Sequence, residues 1–496
     1  MTRGLVSSPH RLASEIGAQT LREGGNAVDA AVATDAALCV LYPHMTSIGG
    51  DLFAMVWPAG ASEPFGLAGA GRSGSSATVE AVRAAGHTAM PERGAVTVTA
   101  PGTVEAWGRL VERFGRFGMA PLLAPAAALA EDGWVVASGV AEAMRKTSDW
   151  RRQLPDLWRL WPSLQEGMTL RNPELAAVLR AIGRNGYSAF YLGDVAEAIS
   201  ATVREQGGFL TVADVRSRAE WVTPIAFTYR DHRVWEMPPP TQGLAAAGLL
   251  RRFEQRGPEE LLGASFGSIL RRERDLVYGL RDRHITDPDF VTVPVEPFLD
   301  PAALAPAAGD PLADGDTIAL TVVDDEGTLV SLIQSESGAF GSGVVARGTG
   351  ILLQNRGSYF SLDPAHVNRL EPRKRTMHTL IPAMAAGRGR RIAFGTMGGD
   401  GQPQLQTQVL LQLVDGRRSA QEAVAAPRIR VVDSTTTSIE ADHPQAREWL
   451  RSLPGAKALP PLDDSFGHAS AIVAAEDGGW DAGADPRSDG GVGRAE

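Results

Sequence analysis

A proline-rich stretch that gives way at Thr317 to a strongly alternating β-hairpin constrains this chain more than any other feature. Residues 296–316 contain Pro297, Pro301, Pro306 and Pro311 among many alanines, then Asp314-Gly315-Asp316. Such composition predicts an exposed linker rather than the interior of an element. Immediately afterwards Ile318, Leu320 and Val322 alternate with the opposite face. Asp324-Asp325-Glu326-Gly327 makes a turn, and Val330 and Leu332 resume the pattern. Period-two apolar spacing on both sides of a Gly-bearing turn predicts two antiparallel strands against a core.

The rest of the chain supplies both layers. Residues 11–23 read as an amphipathic helix with Leu12, Ile16 and Leu21 on its stripe. Gly24-Gly25 ends it and Asn26 caps the next, a small-residue buried helix over 27–42. Leu52 to Trp57 reads as a strand, 104–220 as mainly helical, and Phe227 to Met237 as a strand stopped by Pro238-Pro239-Pro240. Ile392 to Thr396 is a further strand, followed by Met397-Gly398-Gly399-Asp400-Gly401 and a helix from about Pro403 to Val414. Helices and hairpins in comparable measure predict layered α and β with an antiparallel sheet.

Composition narrows the function classes. With 58 acidic and 48 basic side chains among 496 residues, the net charge is −10. That balance argues against nucleic acid or an anionic membrane as the main partner. Cys39 is the single cysteine, which excludes an intrachain disulfide and a multi-cysteine zinc site. No apolar run reaches the ~20 residues of a membrane span, since Asp29 and Asp35 interrupt the best candidate. The first residues lack an apolar signal core, so a cytoplasmic location is the expectation. Nine histidines contain no HExxH or close pair that would suggest a metal. Gly263-Ala264-Ser265-Phe266-Gly267 has a nucleophile-elbow spelling, but it follows a charged segment instead of a buried strand and reads as a helix start. Gly69 to Gly74 spells a dinucleotide fingerprint without the βαβ unit that would give it meaning. The basic clusters Arg369–Arg375 and Arg388–Arg391 are short and read as solvated loop charge.

Thr317 stands at the break between linker and hairpin. A threonine hydroxyl is a weak nucleophile without an adjacent base. Cleavage between Asp316 and Thr317 would create that base, because an α-amino group has a pKa of ~7.7–8.0 and is partly free amine near neutrality. One residue would then supply both groups.

At this point the chain resembles the γ-glutamyltranspeptidase family of N-terminal-nucleophile hydrolases. The motifs run in family order along the whole sequence. They include Gly24 to Ala31, Ser47 to Ala54, Pro101-Gly102-Thr103, Ala189 to Gly193 and Met237 to Pro240. The second half adds Thr317 to Ser335, Phe340 to Gly343, Lys374-Arg375, Gly398-Gly399 and Ala484 to Gly490. The resemblance implies a proenzyme of α+β class with a four-layer αββα sandwich that cuts itself before Thr317. Residues 1–316 would form a large subunit and 317–496 a small one, together one fold. Thr317 would form an acyl-enzyme, Ser335 would steady it, and the backbone of Gly398 and Gly399 would form the oxyanion hole. Gly suits that role because two N–H groups must face the oxyanion with no side chain in the way. No metal or organic cofactor is needed. The partners implied are a small-molecule amide and the paired subunits, with room for a further oligomer.

The sequence also departs from the family. The arginine that holds a glutamyl α-carboxylate is replaced by Ala70. The acid that holds the α-amino group falls where Ser358 and Tyr359 stand. The paired serines read His378-Thr379, and the asparagine beside the nucleophile reads Ser337. Arg72, Arg356, His378 and Thr379 are therefore the candidates for substrate contact. The pattern looks most like the branch containing oxamate amidohydrolase, and a small amide carrying a carboxylate is the favoured substrate. Rival readings are a true γ-glutamyl hydrolase or transpeptidase acting on glutathione, a biosynthetic acyltransferase, and an uncut binding scaffold.

Overall fold

The computed structural model describes residues 3–216, 218–304, 309–313, 315–475 and 478–496. Pro306 and Asp314 of the predicted linker lie outside them. Two antiparallel sheets dominate. The first has seven strands in the order Gly491–Ala495, Gly4–Ser8, Asp316–Asp324, Leu329–Ser337, Asp51–Trp57, Phe65–Gly69, Glu220–Val222. The second has six, in the order Trp480–Ala484, Ala469–Ala475, Arg390–Thr396, Ala383–Gly387, His232–Glu236, Ile225–Tyr229.

The predicted hairpin is the centre of the first sheet, with Val322 paired to Val330 and Leu320 to Leu332. Its alternation sorts the side chains onto two faces. Ala319, Val323 and Ile333 join Phe53 and Met55 in one apolar cluster with Trp235, Met384, Ala393 and Ile472 of the second sheet. Ile318, Leu320, Val322, Val330 and Leu332 face the other way, into a cluster with the helices Ala27–Leu41 and Thr103–Phe114. The second sheet is covered similarly by the helices Gly243–Phe253, Phe266–His284 and Gln402–Val414. Buried bonds tie the sheets together, among them Thr321 Oγ1 to Ser470 Oγ at 2.7 Å, Ser331 Oγ donating to the Phe394 carbonyl at 2.9 Å and Ser7 Oγ donating to the Gly483 carbonyl at 2.8 Å.

Every residue of the helix Ala27–Leu41 is buried, as its alanine-rich sequence predicts. Its acids have local reasons to be there. Asn26 Oδ1 accepts from the N–H groups of Val28 and Asp29, and Asp29 returns the bond to the Asn26 N–H at 3.0 Å. Asp35 accepts from Trp107 Nε1 at 2.7 Å, and burial lifts its pKa to about 8.

Three expectations change. The helix Arg11–Arg22 buries Ala13, Gly17, Ala18 and Leu21, while Leu12 is exposed. Small residues face in because the helix lies close on its neighbour: a Cβ on Gly17 would come 2.2 Å from Thr34 Oγ1. The strand expected over Phe227 to Met237 is instead a hairpin, Ile225–Tyr229 and His232–Glu236, turning at Arg230-Asp231 with Arg230 at φ 55°. The linker is not exposed throughout. Phe298 is fully buried, and the backbone from Gly309 to Ala313 is pinned. Arg274 holds the Gly309 carbonyl at 3.0 Å, Asp282 accepts from the Asp310 N–H at 2.8 Å, and Leu312 N–H reaches the Val432 carbonyl at 2.9 Å.

Candidate active site

Thr317 is the second residue of the strand that follows the linker and is 1% exposed. Its hydroxyl donates to Ser335 Oγ at 3.2 Å. Ser335 Oγ in turn donates to the carbonyl of Asp316 at 2.5 Å and accepts from the Ser337 N–H at 2.7 Å. The register explains this meeting. Gln334 pairs with Ile318 and Ser337 with Asp316, so the partner strand carries an extra residue and bulges. Ser337 sits at φ 83° within the bulge. A loop closes against this end: a Cβ on Gly50 would come 2.4 Å from the Ser335 carbonyl, so only glycine fits there.

Gly398 and Gly399 follow a core strand of the second sheet, at φ 135° and 52°. Those angles strongly favour glycine. The uncut linker lies directly on them, since a Cβ added to Gly399 would come 2.8 Å from the Gly315 nitrogen. Gln242, fully buried, holds this turn from across the chain. Its Nε2 donates to the carbonyls of Gly399 at 3.0 Å and Thr379 at 3.2 Å, and its Oε1 accepts from Arg281 at 3.2 Å.

Asp400 comes next and is also buried. Its Oδ2 accepts from the linker's Ala313 N–H at 3.1 Å, and Arg281 Nη1 stands 3.5 Å from Oδ1. Burial raises its pKa, opposed by Arg281. Asp400, Ala313, Arg281 and Tyr359 line a cavity of about 670 Å³. On the other side of the linker, Gly315, Asp316, Gly398 and Arg430 line one of about 200 Å³.

The four substrate-contact candidates separate. Arg356 is 1% exposed and donates through Nη1 to Thr379 Oγ1 at 3.1 Å. Its Nε and Nη2 find no acceptor in good hydrogen-bond geometry among the described residues, the guanidinium lies over the Tyr359 ring at 5.2 Å and interacts with that side chain, and burial lowers its pKa. Arg356 and Thr379 thus stand together with donors to offer. Arg72 is committed elsewhere, to Asp287 at 3.1 Å and Asp289 at 2.6 Å, and lines a separate cavity of about 340 Å³. The ring of His378 is fully used: Nε2 bonds Asp51 Oδ2 at 3.0 Å and Nδ1 accepts from the Leu380 N–H at 3.3 Å. Burial, then Arg356, pulls its pKa to about 4, so it is neutral at pH 7. Both side chains therefore buttress the site's frame and have little left to give a substrate.

Sequence reasoning quoted Asp51 and Asp400 within motifs without giving them roles, and it passed over Gln242, Arg281 and Glu336. Glu336 sits in the bulge, fully buried, and burial followed by the charge of Asp316 raises its pKa strongly. A buried acid between two serines was the available signal. Among the described residues, no group of three or more His, Cys, Asp or Glu side chains could hold a metal ion, and no helix is long and apolar enough to cross a membrane.

A buried threonine hydroxyl near the head of a central strand and a double-glycine turn after a second-sheet strand are the features that the linker joins. The chain belongs to the gamma-glutamyltranspeptidase family, whose profile matches residues 13–495. Within it, the glutathione hydrolase-like YwrD proenzyme of Bacillus subtilis strain 168 is 36% identical over 516 residues, covering 99% of this chain and 98% of the relative. The oxamate amidohydrolase proenzyme of Klebsiella pneumoniae subsp. pneumoniae is 36% identical over 519 residues, with the same coverages. The crystal structure of a cephalosporin acylase from Bacillus halodurans superposes with a TM-score of 0.93 at 34% identity, covering 99% of this chain and 95% of that one.

Proposed function

We propose that this protein is a self-processing amidohydrolase with an αββα sandwich, cut between Asp316 and Thr317 into subunits 1–316 and 317–496. The chain of hydroxyls from Thr317 through Ser335 to the Asp316 carbonyl carries this reading. Thr317 Oγ1 attacks the Asp316 carbonyl carbon while Ser335 polarises its oxygen. The peptide C–N bond breaks, the proton from Oγ1 ends on the released Thr317 nitrogen, and an ester remains. Water hydrolyses the ester, leaving Asp316 as a carboxylate and Thr317 with a free amine.

The mature cycle uses the same atoms. The α-amine takes the proton of Thr317 Oγ1 as the hydroxyl attacks a substrate amide. The N–H groups of Gly398 and Gly399 receive the oxyanion. The leaving amine departs with a proton, and water resolves the acyl-enzyme. Arg356 and Thr379 hold a carboxylate on the acyl group, because a buried guanidinium with unused donors favours a planar anion. Oxamate, the substrate in the Klebsiella relative's name, is the smallest amide of this class. The cavity of about 670 Å³ beside Asp400 favours a larger carboxylated acyl amide as a second reading.

Denaturing mass spectrometry of the wild type beside Thr317→Ala tests the core of this reading. Two polypeptides divided at Asp316–Thr317, with the variant intact, are the expected result. A single uncut wild-type chain after prolonged incubation overturns it. Oxamate, glutathione and glutaryl amides, assayed with and without an added amine acceptor, then separate hydrolysis from acyl transfer.

A further inference from the structure

Asp400 presents an acceptor that a linker donor holds in the uncut chain. It follows directly on the glycine pair, is 4% exposed, and lines the large cavity. Oδ1 has no hydrogen-bond partner among the described residues, and Oδ2 is held by the backbone N–H of Ala313. Ala313 lies three residues before Asp316, so that N–H is at most ~13 Å from the carbonyl carbon of the bond proposed to break. In self-cleavage, Ala313 belongs to the acyl side of the reaction. The linker backbone also rests on Gly399, where the acyl group of an external amide must come.

We propose that cleavage lets Ala313 withdraw from Asp400, and that Asp400 is then a substrate-binding residue that accepts a neutral amide N–H on the acyl part of the substrate, the place Ala313 holds in the uncut chain. The inference rests on the amidohydrolase reading and narrows its substrate class to carboxylated acyl amides that carry a second, peptide-like amide. The donor that Asp400 already holds decides between an amide and an ammonium. Arg281 stands 3.5 Å from Oδ1 but is itself paired with Asp282 at 2.6 Å, and both Asp282 and Arg356 act on Asp400 electrostatically. The partner seated on Oδ2 in the uncut chain is the neutral backbone N–H of Ala313, which is the chemistry of an amide. A buried carboxylate oxygen that loses its donor needs another one.

Three p-nitroanilides test this on the processed enzyme: glutaryl, γ-glutamyl and N-acetyl-γ-glutamyl. They share a carboxylate and a chain length and differ in bearing no donor, an ammonium, or an amide N–H. The expected kcat/KM is about tenfold higher for the N-acetyl compound than for the glutaryl one, as one hydrogen bond to a charged group allows. That ratio falls to near one in Asp400→Ala and persists in Asp400→Asn, which keeps an acceptor oxygen. Equal wild-type rates, a preference for the ammonium, or a ratio unchanged in Asp400→Ala overturns the proposal while leaving the amidohydrolase reading intact. The wild-type ratio decides by itself should the alanine variant fail to mature. Failure of Thr317-dependent cleavage on these and all the amides named above rejects both.

Discussion

His378 and Asp51 are locked together at 3.0 Å with neither side chain more than 1% exposed. Asp51 Oδ1 continues the lock to the Gly71 N–H and to Gln354 Nε2, each at 3.0 Å. The histidine is neutral, its pKa lowered to about 4 by burial and by Arg356. The unfolded chain takes up a proton near the ordinary histidine pKa of ~6.5, and the folded one does not. The His378 contribution is therefore present above pH 6.5 and is lost as pH falls from there through 4, amounting to about 3 kcal/mol. Chemical denaturation of wild type and His378→Gln between pH 7 and 4 checks this. The variant should show a shallower loss of stability across that window.

Ser335 bridges the Thr317 hydroxyl and the Asp316 carbonyl. Ser335→Ala removes the donor to Asp316 and the acceptor for Thr317 together. Self-cleavage should slow about a hundredfold, the usual scale for one oxyanion donor, followed as the appearance of the 317–496 fragment with time. Ser335→Thr, which keeps the hydroxyl, should recover most of the rate.

Gly315 lies against the glycine turn and the bulge. A Cβ there would sit 3.0 Å from Gly399 Cα and 3.1 Å from the Ser337 carbonyl. Gly315→Val should slow maturation about tenfold through overpacking. Once cut, the variant should match wild-type kcat/KM, because residue 315 is no longer tethered to the nucleophile.

Arg356 offers its unused donors where Thr379 already accepts one. Arg356→Gln should raise KM for a glutaryl amide at least about tenfold, with a smaller change in kcat. Arg356→Lys should restore little, since a point charge cannot reproduce the planar fork. Steady-state kinetics of the processed variants gives the split.

Much of the site's frame was legible in the sequence, and the particular residues show why. The hairpin from Thr317 to Ser335, the Asn26 cap and the buried alanine-rich helix are written in spacings of two to four residues. Such spacings act through local backbone geometry. The break of the 225–236 strand was missed because Phe227, Tyr229, Val234 and Trp235 supply β-forming residues on both sides of a turn with no glycine in it. The stripe of the first helix was misread because glycine and alanine, not leucine, form the face that packs.

The sequence by itself determined that a core strand carrying Thr317 follows the linker, that a glycine turn follows a core strand at 398–399, and that Ala70, Ser358 and Tyr359 stand where charges were expected. Only the tertiary structure decided what the remaining charges do. Arg72 and His378 looked as available as Arg356, until Asp287, Asp289 and Asp51 were found beside them. Gln242, Arg281 and Asp400 entered the site the same way, from segments far apart in the chain. Periodicity reports which face of an element is apolar, but the partner of a buried charge is set by how the layers close, and no local spacing encodes that.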